Sequence, residues 1–121
     1  MLPTKSDAQS TGAWRLKDYR TTLRASDRAE ATQRAYMGDI EAFVTWANDH
    51  EVTRPNEVNV RALRDYLLFM TERGDERTSI IRRRASLRGY FTWMVQRGHL
   101  IESPAQRLSA PKANHRLPKL V

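Results

Sequence analysis

The residues best suited to chemistry lie between Thr78 and Arg97, in the stretch TSIIRRRASLRGYFTWMVQR. Ile80, Leu87, Phe91 and Met94 recur there at helical spacing and predict one apolar stripe. Thr78, Ser79, Arg82 and Ser86, with the small residues Ala85 and Gly89, fall on the far side of the first three turns. Guanidinium and hydroxyl donors beside small side chains suit phosphate oxygens and base edges, because little bulk keeps such a helix out of a groove. A helix that simply turns a basic side to water has the same pattern. Arg83 sits nearer the stripe, and Arg84 falls inside it. Either the Arg84 stem runs along the edge of the core, or the helix is turned slightly from this register.

Other chemistry is hard to find. The chain has no Gly-rich phosphate loop, no His-Glu-x-x-His and no Ser in a Gly-x-Ser-x-Gly setting. It has no cysteine, and its histidines, His50, His99 and His115, are scattered, so neither a metal centre nor a disulfide is expected. Acids such as Asp75 and Glu76 sit in a predicted exposed turn. No catalytic residue and no cofactor is expected.

The rest of the chain says what those donors would meet. Its 121 residues allow one domain with a single core. A hydrophobic content of 40% and a mean hydropathy of −0.70 describe a soluble globular chain. No apolar run reaches the ~18 residues of a membrane span, and the first residues lack the core of a secretory signal. With no cysteine, a cytoplasmic protein is expected. Net charge is +7 and the pI about 10.4, which points to a polyanionic partner. The excess is polarised: from Arg77 to Lys119 eight Arg and two Lys face the single acid Glu102.

Four helices must position these groups. Residues 1 to 12 have no periodicity and read as a flexible arm. A first helix is predicted from Ala13 to Ala25, with Leu16, Tyr19 and Leu23 inward and Trp14 off that face, against a neighbouring helix end. The second runs from Thr32, as N-cap, to Asn48. Tyr36, Ile40, Phe43, Val44 and Ala47 form its stripe, with Trp46 at the edge and Gln33, Arg34, Gly38 and Glu41 away from it. Gly38 costs about 1 kcal/mol relative to Ala inside a helix, which implies close approach by either a DNA backbone or a neighbouring helix. A loop over His50 to Val58 leads to Asn59, the N-cap of a third helix over Val60 to Arg73. Leu63, Tyr66, Leu67, Phe69 and Met70 spread over more than one stripe, so this helix is predicted to be the most buried, and Gly74 to stop it. Thr78 or Ser79 caps the fourth helix, which ends near Arg97 and Gly98. Leu100 and Leu108 are expected to tuck onto the core, with one short turn over Ala105 to Leu108. From about Ala110 the chain is basic and punctuated by Pro111 and Pro118, as in a linker to a further domain.

Three ordered patterns resemble a known family. Thr32, Tyr36, Asp39, Ile40, Phe43 and Trp46 carry the first. Ser79, Ile80, Arg83, Ser86, Leu87, Arg88, Tyr90, Phe91 and Trp93 carry the second. The third runs from Gly98 to Lys112 and ends in Leu117-Pro118-Lys119. Together they resemble the N-terminal core-binding, SAM-like domain of tyrosine site-specific recombinases of the phage-integrase and XerC/XerD type. The resemblance implies an all-α, four-helix module forming half of a C-shaped clamp on duplex DNA. It places residues 13–109 in the DNA-binding domain and residues 110–121 in the interdomain linker. Thr32, Gln33, Arg34 and Gly38 on the second helix, and Thr78, Ser79, Arg82, Arg83 and Ser86 on the fourth, would then lie at the major groove. Arg116 and Lys119 would either follow the DNA backbone or remain solvated. The family's catalytic residues lie in a second domain, so this stretch would bind DNA and cleave nothing, as a monomer alone and beside other recombinase subunits on DNA. His115-Arg116 lacks the His-x-x-Arg spacing of that machinery. Arg84 departs from the family, where a Leu is usual.

Two other readings belong to other classes. A helix-turn-helix regulator would use the third helix, the Gly74–Arg77 turn and the fourth as recognition helix, and would bind a palindrome as a dimer. A protein-interaction module with a basic surface would bind no nucleic acid.

Overall fold

The computed structural model describes residues 12–108, and among them it is all-helical. The helices are α1 (Leu16–Arg24), α2 (Glu30–Asp49), α3 (Val60–Arg73) and α4 (Arg77–Gln96), with a 3₁₀ turn at Pro55–Glu57 before α3. The expected arm at 1–12 (save Gly12), the linker at 110–121, and Arg116 and Lys119 lie outside the described residues.

The helix ends follow local chemistry. Asn59 caps α3 as expected, its Oδ1 accepting from the Ala62 amide at 2.8 Å. At the other ends α2, α3 and α4 close in the same way. A residue in the left-handed region follows the last turn, and the next amide bonds back five residues: Val52 to Ala47, Asp75 to Met70, His99 to Met94. Gly74 and Gly98 take that position in α3 and α4, while in α2 it falls to Glu51, at φ 65°. The N-termini of α2 and α4 differ from expectation. Neither Thr32 nor Thr78 or Ser79 is a cap: the helices start at Glu30 and Arg77, from extended Ala29 and Glu76 without side-chain caps.

α2 and α4 supply most of the core. Phe43 sits at its centre, edge-on to Trp14, Tyr66 and Phe91 at ring separations of 6.0, 5.1 and 6.3 Å. The chain kinks at Arg15 (φ 58°) just before α1, and this break turns Trp14 fully into the core rather than against a helix end. Tyr90 donates to the Trp14 carbonyl, and Trp93 Nε1 donates to Thr22 Oγ1 at 3.1 Å, so α1 is pinned to the C-terminal half of α4. Ala105 and Leu108 close the base, and Leu100 packs against it.

One burial expectation fails. α3 buries only Leu63, Tyr66 and Met70, one side of the helix, and leaves Leu68 54% and Phe69 38% exposed. Its apolar residues are broad because the helix carries a surface patch as well as a core stripe.

Candidate nucleic-acid interface

The buried side of α4 is rotated from the sequence-based register. Ser86, Leu87, Tyr90, Phe91, Trp93 and Met94 are buried, and Ile80 is only half so. At about 100° per residue the stripe centre moves by roughly 50° toward Ser86. The rotation carries Arg84 to the edge of the core, where burial and the Arg88 charge lower its pKa from the usual arginine range.

Asp39 explains the rotation. It is 2% exposed, in the middle of the α2 side that faces α4, and Asp39 and Ser86 are the buried polar side chains among the described residues. A buried carboxylate costs several kcal/mol unless donors surround it. Arg82 forks onto it, Nε to Oδ2 at 2.9 Å and Nη2 to Oδ1 at 2.6 Å. Ser86 Oγ donates to Oδ2 at 2.7 Å, and Arg83 Nε stands 3.4 Å from Oδ1, outside hydrogen-bonding geometry. Arg83 Nη1 also reaches Tyr66 Oη at 3.4 Å and Met70 Sδ at 3.5 Å, so the cluster joins α2, α4 and α3. The bond to Asp39 holds the Arg82 pKa above the usual arginine value. Burial raises the Tyr66 pKa, partly offset by Arg83.

Of the expected contact residues, Arg82, Arg83 and Ser86 are thus brought together, but around a carboxylate. Ser86 is 2% exposed and its hydroxyl is used inside, so it lies beneath the surface rather than on it. Arg82 and Arg83 keep 41% and 22% of their side chains exposed. Ser79 lies two turns before Ser86 on the same side of α4, and Thr32 two turns before Asp39 on the same side of α2, both half-buried. Tyr36, also half-buried, lies between them on α2 with the Arg28 guanidinium 4.8 Å from its ring centre. The inner sides of both helices therefore run out, at their N-terminal ends, into a half-exposed surface of hydroxyls and guanidiniums.

The remaining candidates lie elsewhere. Gln33 donates to the Arg28 carbonyl at 2.8 Å and braces the turn into α2. Arg34, Gly38 and Thr78 are exposed on the outer sides of α2 and α4. A Cβ on Gly38 would meet nothing within 4 Å, so no neighbouring helix explains this glycine. Asp39 and Arg28 were not among the expected contacts. The signal for Asp39 was present: an acid four residues before Phe43 and seven before Trp46, inside an apolar stripe. Among the described residues no cluster of His, Asp and Glu could hold a metal ion, and no helix is long and apolar enough to cross a membrane.

Residues 16–98 match the family model of the phage integrase, N-terminal SAM-like domain. The chain belongs to this family. It is 34% identical over 87 residues to a tyrosine recombinase XerC of Xylella fastidiosa (strain M23), an overlap covering 72% of this chain and 30% of that protein. It is 32% identical over 94 residues to a tyrosine recombinase XerC of Mycobacterium leprae (strain TN), covering 78% of this chain and 31% of that one. The chain thus spans about a third of the curated relatives it matches. No solved structure matches it at a significant level. The SAM-like match takes in all four helices, and with them Asp39 and every candidate contact residue on α2 and α4.

Proposed function

We propose that this SAM-like domain binds duplex DNA sequence-specifically, as the N-terminal part of a cytoplasmic tyrosine recombinase or integrase acting in DNA recombination or integration. The observation that carries the reading is the half-exposed polar surface where α2 and α4 begin, with Arg82 fixed at its base. Thr32, Ser79, Arg82 and Arg83 are the central contacts. Arg34, Gly38 and Thr78 flank them on the outer sides, where Gly38 lets a phosphate backbone come close. Gln33, held by one N–H on the Arg28 carbonyl, contacts DNA through the rest of its amide, and Ser86 acts from beneath. The net charge of +7 supports the same partner. No catalytic residue is assigned here, and strand cleavage belongs to the second domain of such a recombinase. On DNA it works beside other recombinase subunits, and alone it is a monomer.

The three-residue turn Gly74–Glu76 between α3 and α4 is the feature a helix-turn-helix regulator would use. Membership of the integrase family favours the first reading. The test is a fluorescence-anisotropy titration of random-sequence duplex DNA across a salt series, with wild type, Ser79→Ala and Arg34→Ala. Steep salt dependence is expected, with the logarithmic slope flatter by about 0.9 for Arg34→Ala, which removes a charge, and weaker binding at an unchanged slope for Ser79→Ala. Binding that ignores salt, or variants indistinguishable from wild type throughout, would overturn the proposal. A stable dimer on a palindrome would favour the regulator.

A further inference from the structure

We infer that Asp39 is a positioning residue for the DNA surface, holding Arg82 by one edge so that the other edge stays available for a phosphate. The inference rests on the DNA-binding reading above. A guanidinium has five N–H donors in a fixed plane. Asp39 takes the Nε donor and one on Nη2, and among the described residues no side chain takes the other three, while 41% of the side chain remains in solvent.

The carboxylate is itself fixed from the other sides. Ser86 holds Oδ2 from beneath, and Arg83 stands at Oδ1 while its Nη1 is tied to Tyr66 and Met70 on α3. An exposed arginine loses considerable rotamer freedom when it grips a phosphate. Arg82 has lost most of it already, because two parallel hydrogen bonds to a buried group set its plane. Preorganisation of this kind raises affinity without adding any contact to the DNA. It also explains why an acid stands in a surface meant for a polyanion: its charge is neutralised on the spot and its geometry is kept.

The sign of one substitution separates this role from simple electrostatics. Asp39→Asn keeps the shape and removes a negative charge from beneath the surface. Coulomb's law alone then predicts tighter DNA binding. Positioning predicts weaker binding, by about tenfold, with the salt slope flatter by about 0.9, because Arg82 no longer points one edge outward. Ser86→Ala, which loosens the carboxylate without changing charge, should shift both quantities the same way by a smaller amount.

The experiment is the same anisotropy titration on random-sequence duplex DNA with wild type, Asp39→Asn, Ser86→Ala and Arg82→Ala, each shown to be helical by circular dichroism at the titration temperature. If Asp39→Asn does not fold, Ser86→Ala carries the decision. Weaker binding and a flatter slope for the Asp39 and Ser86 variants support the inference. Equal or tighter binding by them, while Arg82→Ala still weakens it, overturns the inference and leaves the DNA-binding reading standing. A wild-type chain without salt-dependent affinity overturns both.

Discussion

Truncating Arg82 to Ala removes two hydrogen bonds from a carboxylate that is nearly inaccessible to water. What stays is the 2.7 Å bond from Ser86 and the Arg83 Nε at 3.4 Å. Loss of one partner from a fully buried ion pair costs about 3–5 kcal/mol. Two features reduce this. Solvent around Arg82 screens the Coulombic part, and Arg83 retains part of the compensation, so the expected loss is about 2 kcal/mol. For a domain of this size such a loss lowers Tm by roughly 8–16 °C. Asp39→Ala removes the buried charge itself, and the stranded Arg82 can turn to water. In the double variant neither charge is stranded, so the two single costs should exceed the double one by about 1–2 kcal/mol. Urea unfolding followed by the fluorescence of Trp14, Trp46 and Trp93 measures all four forms, with midpoints moving at an unchanged slope. Arg82→Ala within about 0.5 kcal/mol of wild type, or strictly additive singles, would refute the claim that the carboxylate depends on this arginine.

Other perturbations test other links. Glu51→Gly should stabilise by about 1 kcal/mol, because the left-handed backbone at that helix end suits glycine, and Gly74→Ala should destabilise by a similar amount; thermal melts that move the same way would contradict this. Phe43→Ala removes the ring that Trp14, Trp46, Tyr66 and Phe91 surround and should cost about 3–5 kcal/mol, read as lost helicity by circular dichroism. Leu68→Asn on the outer side of α3 should stay within about 0.5 kcal/mol of wild type in urea, whereas a large loss would mean that α3 is buried on two sides. Burial raises the pKa of Tyr19, Tyr66 and Tyr90, so the unfolded chain gives up these protons first. Their contribution to stability is therefore complete below pH ~10 and lost as pH rises through the higher folded values. Urea midpoints that fall above pH ~10, less steeply in Tyr90→Phe, would show it; midpoints flat with pH would not.

The fold was legible where local chemistry and the apolar pattern agree. Asn59 and Gly74 bracket α3 within a residue because each satisfies backbone groups by itself. The starts of α2 and α4 were not legible for the opposite reason. Each has hydroxyl residues in its first turns, but Thr32 and Ser79 lie on the inner sides and Thr78 on the outer side, and the termini use backbone extension instead of a cap. Trp14 was misplaced because a single left-handed residue, Arg15, breaks the 3.6-residue phase that a pattern along the chain assumes to continue. α3 was overestimated because apolar side chains that make a surface patch count the same, in sequence, as those that make a core.

Arg82, Arg83 and Ser86 were legible as candidate donors but not as a cluster around a carboxylate, and Asp39 is the reason. A hydrophobic pattern assigns each residue to the inside or the outside, so a stripe drawn through Ile80, Leu87, Phe91 and Met94 left Arg82, Ser86 and their neighbours outside. A buried acid on the facing helix reverses that assignment for whichever donors can reach it. Ser86, one turn beyond Arg82, is drawn fully inward, while the longer Arg82 spans both environments. Periodicity within one helix cannot register this, since the cause sits 43 and 47 residues away in the chain. On the proposed reading, stability and DNA affinity therefore share residues. A substitution at Arg82 would then loosen α4 on α2 as well as weaken the proposed binding, whereas one at Ser79 or Arg34 would touch the proposed ligand side alone. Variants of these two kinds, compared at equal fractions folded, separate the framework of the surface from the contacts made on it.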